Sequence, residues 1–210
     1  MKALYNLSTP RNVYEQKIGQ LNKRVAALTN AAVLAKETSD ENQRLKQLLD
    51  FKNKLPQKSI AAEVIARNPS SWESFVIIDK GKQNGIDVNA AVAKSDGLIG
   101  RVFEAGEDTA KVMLIDSPGS RLGVTVQRTR EQGILAGIGA GMCRITYLPY
   151  DTQAKPGDII VTSELSGVCV KGMMIGRITK VAKGPASLYA NAIVKPSSDL
   201  FRIEEVLCIE

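Results

Sequence analysis

The sequence contains no histidine among its 210 residues. Histidine is the commonest general base near neutral pH and the commonest metal ligand, so its absence excludes a Ser-His-Asp relay and the usual zinc sites. Composition leaves a Ser-Lys dyad open, but no serine lies in a nucleophile-elbow pattern. We therefore predict a protein that is not an enzyme, with no catalytic residue, no metal and no cofactor.

Aromatic residues and cysteines are also scarce. Aromatics make up 5% of the chain, which argues against a surface that stacks nucleic-acid bases. Cys143, Cys169 and Cys208 lack metal-site spacing, and their odd number leaves at least one thiol free. We interpret them as core residues, with a Cys143–Cys169 or Cys169–Cys208 bridge as the alternative.

Long hydrophobic runs are missing as well. No stretch reaches the roughly 18 apolar residues that a bilayer-spanning helix needs, and no signal-peptide pattern is present. If the native protein is exported or anchored, we expect the segment responsible to be absent from this sequence.

The net charge of +6 is confined to the N-terminal quarter of the chain. Residues 1–58 hold eleven Lys/Arg and five Asp/Glu, whereas residues 59–210 hold seventeen of each. We favour a solvated helix face as the explanation. The alternative is a polyanion- or nucleic-acid-binding module that uses this basic arm.

Residues 1–55 are predicted to form a coiled-coil helical arm. Apolar residues recur at alternating spacings of three and four, and the dimerising ones are predicted to be Tyr14, Ile18, Leu21, Val25 and Leu28. Pro10 should bend or break the helix, and Pro56 should end it. Beyond Ser39 the pattern shifts, which indicates either a stutter or a step where the helix rests on the β region. An amphipathic helix folded back on its own β domain is the alternative to pairing.

From Ser59 onward the period changes to that of short strands separated by turns. Six strands in each half predict two small β-barrels, at 59–130 and 131–210, with an approximate boundary and strand exchange left open. Asp96-Gly97 predicts a hairpin turn. The fold class is therefore mainly β, with one helical arm.

A repeated phrase supports two related barrels. Gly97–Val102 is echoed by Met173–Ile178, which places Gly100 and Gly176 76 positions apart. A second echo pairs Val112–Pro118 with Ala192–Ser198. We interpret the glycines as sharp bends or close backbone approaches, with a duplicated anion site at Arg101 and Arg177 as the alternative.

Exposed apolar residues mark a candidate partner surface. Tyrosine and tryptophan are the commonest anchors of protein interfaces, and the residues 163–172 form a low-charge loop. The candidate residues are Trp72, Tyr147, Tyr150, Leu165, Val168 and Val170.

Several short motifs occur in the order found in one bacterial family. They include Asn68-Pro69-Ser70-Ser71-Trp72, Asp96-Gly97-Leu98-Ile99-Gly100-Arg101-Val102, Tyr147-Leu148-Pro149, Lys155-Pro156-Gly157-Asp158 and Ile175-Gly176-Arg177-Ile178. Over about residues 41–210, the sequence closely resembles the rod shape-determining MreC family.

The resemblance implies a non-enzymatic scaffold of cell-wall elongation. The architecture that the resemblance implies is an N-terminal membrane helix, a dimerising coiled coil and two β-barrels outside the cytoplasmic membrane. Implied partners are a second copy of the chain, the elongation penicillin-binding protein (a transpeptidase), MreD, MreB and RodA, with no nucleic acid. The implied location is anchored to the inner membrane and extracytoplasmic.

Overall fold

The computed structural model describes residues 9–68, 73–163, 170–183 and 188–209. The chain divides into two compact units, residues 1–46 and 47–210. Helix α1 spans Thr9–Lys54 and a short 3-10 helix spans Lys82–Asn84. The strands are β1 (Ser59–Arg67), β2 (Phe75–Ile78), β3 (Ala91–Lys94), β4 (Gly97–Ala105), β5 (Ala110–Leu114), β6 (Arg121–Val126), β7 (Gln132–Gly139), β8 (Met142–Pro149), β9 (Ile159–Thr162), β10 (Met174–Lys183), β11 (Tyr189–Pro196) and β12 (Glu205–Ile209).

The helical unit has no core of its own. Almost every side chain described between Tyr14 and Lys46 is exposed. Pro10 lies within the first turn, where its missing N–H and fixed φ are tolerated, so it does not break the helix. The helix ends at Lys54, two residues before Pro56, as predicted. Within the described residues, α1 is too polar to cross a membrane.

The larger unit contains two closed six-stranded barrels, which confirms the predicted fold class. The strands of the first barrel follow the order β1-β12-β3-β4-β5-β2, and those of the second follow β10-β11-β8-β7-β6-β9. All pairings are antiparallel. Closure leaves no open sheet edge, and the interiors are filled mainly by Ile, Leu, Val and Ala.

The barrels exchange their last strands, so the sequential boundaries 59–130 and 131–210 are not those of the structure. The strand β6 belongs to the second barrel, although we placed its residues in the first. The last strand, β12, lies between β1 and β3 of the first barrel. Each module therefore contributes five strands to its own barrel and its sixth strand to the other.

The repeated phrase occupies equivalent bends, as the sequence indicated. In both β4 and β10 an extra residue bulges immediately before the glycine and another bulges three residues after it. A Cβ on Gly100 would lie 2.1 Å from the Met113 carbonyl oxygen, and one on Gly176 would lie 2.2 Å from that of Lys195. The glycines are required because the neighbouring strand passes too close for any side chain.

Two details of the sequence interpretation need correction. Gly100 pairs with Leu114 and Gly176 with Pro196, so the second echo is displaced by two residues from our alignment. A two-residue displacement preserves the face of every side chain, which explains why the echo was visible. The β3–β4 hairpin exists, but its turn residues are Ser95 and Asp96.

The chain segments that cross between barrels are fastened by hydrogen bonds. The first crossover contains Asp116, whose carboxylate accepts from the Gly141 N–H at 3.0 Å and whose carbonyl accepts from the Gly139 N–H at 2.8 Å. In the second crossover the Ser198 hydroxyl donates to Asp96 at 2.6 Å. Each crossover thus binds a hairpin of the barrel that it leaves or enters, which makes the two barrels one compact unit.

Candidate partner-binding surfaces

The predicted dimerising residues all lie exposed along α1. Tyr14, Ile18, Leu21, Val25 and Leu28 are between 57% and 70% exposed. A single helix with such a stripe gains little from propensity alone, because most helical stability in proteins comes from packing of an apolar face. The exposed stripe is the surface that a second helix needs, and dimerisation stays a prediction.

The last turns of α1 pack onto the barrels. Leu48 is only 8% exposed, and Phe51 and Leu55 are partly buried against the core. Leu49, which continues the dimerising pattern, remains 57% exposed. The shift beyond Ser39 therefore marks the step at which a second helix face begins to contact the β region.

A groove of about 410 Å³ opens beside these turns. We call it the junction groove, because it is lined by the end of the helix, by the β3–β4 turn of the first barrel and by residues 170–174 of the second. Val170, a predicted partner residue, lies in its wall. The Oε1 atom of Gln57 is buried there without a hydrogen-bond partner among the described residues.

Exposed aromatic residues cluster at one end of the second barrel. The rings of Tyr147 on β8 and Tyr189 on β11 meet edge to face, with centroids 5.4 Å apart. The Lys183 ammonium lies 5.8 Å from the centroid of the Tyr150 ring. Leu188 is 83% exposed. We call Tyr147, Tyr150, Leu188 and Tyr189 the tyrosine surface, and it presents the residue types most often found in interface anchors.

Tyr147 is held in an unusual backbone conformation. Its φ is +63°, in the left-handed region. It lies in a bulge, since β8 uses three steps between Ile145 and Leu148 where β11 uses two. Bulges commonly re-aim a side chain, and strained non-glycine residues are concentrated at functional sites. The strain therefore sits on an exposed ring of the tyrosine surface.

The structure separates the predicted partner residues into two places. The tyrosine surface adjoins the Lys183 end of β10, whereas Val170 precedes its Met174 end. Ten strand residues span roughly 30 Å. Trp72, Leu165 and Val168 lie outside the described residues.

The sequence analysis did not identify every residue of the tyrosine surface and of the junction groove. Leu188 and Tyr189 follow the Gly184-Pro185 turn signal, and their pairing with Tyr147 across β8 and β11 required the barrel register. Phe51 and Leu55 continue a helical spacing from Leu48, which could have indicated the helix face that contacts the barrels.

An ion pair fastens the segment before β9. The Arg128 guanidinium donates two hydrogen bonds of 2.8 Å to the Asp158 carboxylate and one of 2.7 Å to the Gln153 carbonyl. The hydrogen bonds from Arg128 lower the pKa of Asp158, and the carboxylate in turn raises the pKa of Arg128. This pair holds the Lys155-Pro156-Gly157-Asp158 motif in place.

The two cysteines that the structure describes are not activated as nucleophiles. Cys143 and Cys208 are buried and free, and burial raises the pKa of both thiols to about 12, with a smaller effect from a nearby aspartate. Cys169 lies outside the described residues. Gly137–Gly141 ends β7 and forms a tight hairpin turn without a following helix, so it is no dinucleotide cradle. No cluster of three potential metal ligands occurs in the described ranges.

These features define a class of protein: an N-terminal helical arm followed in sequence by a pair of interlocked β-barrels, with exposed apolar surfaces on both parts. The model of the rod shape-determining MreC barrel core matches residues 64–210. The chain therefore belongs to the MreC family, as the motifs indicated. This is a family of structural, shape-determining proteins, which supports the prediction that the chain is not an enzyme.

Individual relatives agree with this assignment. The cell shape-determining protein MreC of Listeria monocytogenes is 32% identical over 206 residues, covering 95% of this chain and 70% of that protein. A solved structure of Listeria MreC has a TM-score of 0.70, 32% identity and coverage of 91% of this chain and 94% of its own.

A second similar structure is a complex between a penicillin-binding protein (PBP2) and MreC from Helicobacter pylori, with a TM-score of 0.57, 13% identity and coverage of 73% of this chain and 99% of that chain. At that identity the likeness shows the fold alone. This chain spans between 42% and 70% of the length of the first curated relatives it matches.

Proposed function

We propose that this chain is a dimeric scaffold that binds and regulates the transpeptidase of cell-wall elongation and thereby maintains rod shape. The observation that carries the proposal is the tyrosine surface: exposed rings, one of them on strained backbone, on a protein of the MreC family. The complex of a relative with PBP2 supports this choice of partner.

The proposed mechanism needs no chemistry from this chain. Helix pairing through Tyr14, Ile18, Leu21, Val25 and Leu28 sets two copies side by side, and the barrels present binding surfaces outside the cytoplasmic membrane. An anchoring helix at the inner membrane, and contacts with MreD, MreB and RodA, complete the proposal. Regulation follows if binding favours one of two conformations of the transpeptidase.

Binding to the transpeptidase is tested with the full chain and the purified elongation penicillin-binding protein. Tyr147→Ala with Tyr189→Ala removes both rings and should weaken binding at least tenfold, since anchor residues in interfaces cost 2 kcal/mol or more when truncated. Ile65→Ala, at an exposed site on the first barrel, is the matched control and should leave affinity unchanged. Equal affinities for all three proteins would place the partner elsewhere, with Val170 and the junction groove the next surface to test.

Dimerisation is tested separately by analytical ultracentrifugation. Ile18→Glu with Leu21→Glu should give a monomer with intact barrels, because two charges would face each other across the paired stripe. Gln16→Glu with Gln20→Glu adds the same charge off the stripe and should remain dimeric. A dimer in the first variant would show that pairing does not use this face.

A further inference from the structure

The two barrels carry opposite net charges, which becomes visible only when each strand is assigned to its own barrel. The segments that build the first barrel, residues 59–116 and 197–210, hold seven Lys/Arg and thirteen Asp/Glu. Residues 117–196, which build the second barrel, hold ten and four. The apparent neutrality of residues 59–210 is therefore a net −6 on one barrel cancelled by +6 on the other.

The positive charge of the second barrel is concentrated on one outer face. The four adjacent strands β7, β8, β11 and β10 contain five Lys/Arg and no Asp or Glu. Four of these cations form a cluster that we call the basic face, and all four are exposed: Arg144, Arg177, Lys180 and Lys195.

Strand register places these cations around a single residue. Ile193 on β11 pairs with Arg144 on one side and with Lys180 on the other, and Lys195 pairs directly with Arg177. Neighbouring strands lie about 4.8 Å apart and alternate residues on a strand about 7 Å apart. The basic face is thus a grid of charges at that spacing.

Nothing on the described chain neutralises this grid. No salt bridge among the described residues involves any member of the basic face. Arg177 donates only to the Gly157 carbonyl, at 3.4 Å. Like charges directly opposite each other destabilise a sheet, so the arrangement costs stability that folding alone does not require.

We propose that the basic face binds a linear polyanion built from phosphate groups. A flexible string of phosphates can follow the grid, and two arginines suit bidentate contacts to phosphate oxygens. Among the described residues, no aromatic ring on which a base could stack lies between these cations. Ile193, which lies between the cations, is half-buried, and the exposed apolar residues of the same outer face, Ile134 and Ile138 on β7, are not the aromatic anchors typical of protein interfaces.

The proposal also distinguishes the two copies of the repeat. Arg101, the counterpart of Arg177, pairs with Ala91 and Met113, and its side chain donates to Asn89. Arg101 thus lacks the paired cation that Arg177 has in Lys195, so we place the proposed site on the second barrel alone.

The test measures binding of the full chain to fluorescently labelled linear polyphosphate at several salt concentrations. Arg177→Gln with Lys195→Gln should weaken binding about thirtyfold at low salt, since each lost cation near an anionic surface is worth about fivefold. It should also reduce the slope of log affinity against log salt by about 1.5 to 2. Lys17→Gln with Lys23→Gln makes the same charge change on the basic helix and should alter affinity less than twofold.

The test also includes the melting temperature of each variant and a comparison with other polyanions. The barrel variant should melt at or above the temperature of the parent chain, because an opposed like-charge pair is removed, so lost binding cannot be attributed to unfolding. Equal losses in both variants, or a loss in the helix variant alone, would overturn the proposal. So would tighter binding, at equal charge, to polyglutamate or to vesicles of phosphatidylglycerol.

Discussion

Replacing Tyr147 by glycine should leave the protein more stable than replacing it by alanine. Both substitutions remove the ring and its edge-to-face contact with Tyr189. They differ at the backbone, where φ of +63° is costly for alanine and free for glycine. The comparison therefore isolates the backbone strain from the contacts of the side chain.

The magnitude follows from two opposing effects. Left-handed backbone costs a residue with a Cβ about 1–2 kcal/mol, whereas glycine in a strand is usually worse than alanine by about 0.5–1 kcal/mol. The first effect exceeds the second, so the net advantage of glycine should be about 0.5–1 kcal/mol. For a chain of this length, that corresponds to a Tm difference of about 1–4 °C.

The assay is thermal unfolding of Tyr147→Gly and Tyr147→Ala side by side with a matched pair. Thr179 is exposed on β10 and does not have a positive φ, so Thr179→Ala should be more stable than Thr179→Gly. If Tyr147→Gly melts below Tyr147→Ala, the strain at this bulge does not exist and the argument that the ring is held there for binding fails. If the strain exists to present the ring, both Tyr147 variants should bind the transpeptidase equally poorly.

Three further predictions concern the barrels themselves. Ending the chain at residue 204 removes β12 from between β1 and β3, and the first barrel should lose its amide-exchange protection throughout rather than only at the new terminus. Arg128→Gln should destabilise the protein at pH 7. Because Arg128 lowers the folded-state pKa of Asp158, this stabilisation is fully present above about pH 4 and is lost as the pH falls through the folded value. Urea unfolding should therefore show a smaller difference in unfolding free energy between the parent chain and the variant at pH 3 than at pH 7. Cys143 and Cys208 should resist alkylation at pH 8 until the protein unfolds, because both thiols are buried with a pKa of about 12, and peptide mass mapping after brief labelling of the folded chain would contradict this if either were modified.

Local patterns predicted the elements well because their causes are local. The heptad spacing, Pro56 and the turn clusters each act within a few residues, and they placed α1 and the two sets of strands correctly. The Gly100 and Gly176 bends were also predictable, since a glycine inside an apolar strand indicates a bulge or a close backbone approach.

The partners of the strands were less predictable, because pairing is decided by distant residues. Nothing near β12 indicates that it belongs beside β1, about 150 residues earlier in the chain. For the same reason the net charge of each barrel could not be predicted, because it can be counted only once the strands of that barrel are known. Tyr147 was identified as an exposed residue, but its positive φ depends on the register of β11 against β8 and leaves no mark in the sequence.

The exchange of β6 and β12 sets the order in which the barrels can be completed during synthesis. The second barrel is built from one continuous stretch, Arg121–Pro196, and all its strands exist once that stretch has left the ribosome. The first barrel begins at Ser59 but needs Glu205–Ile209, which are made only after the whole second barrel. The barrel nearer the beginning of the chain therefore closes last, and until then its five strands have two unpaired edges that the growing chain must protect from aggregation.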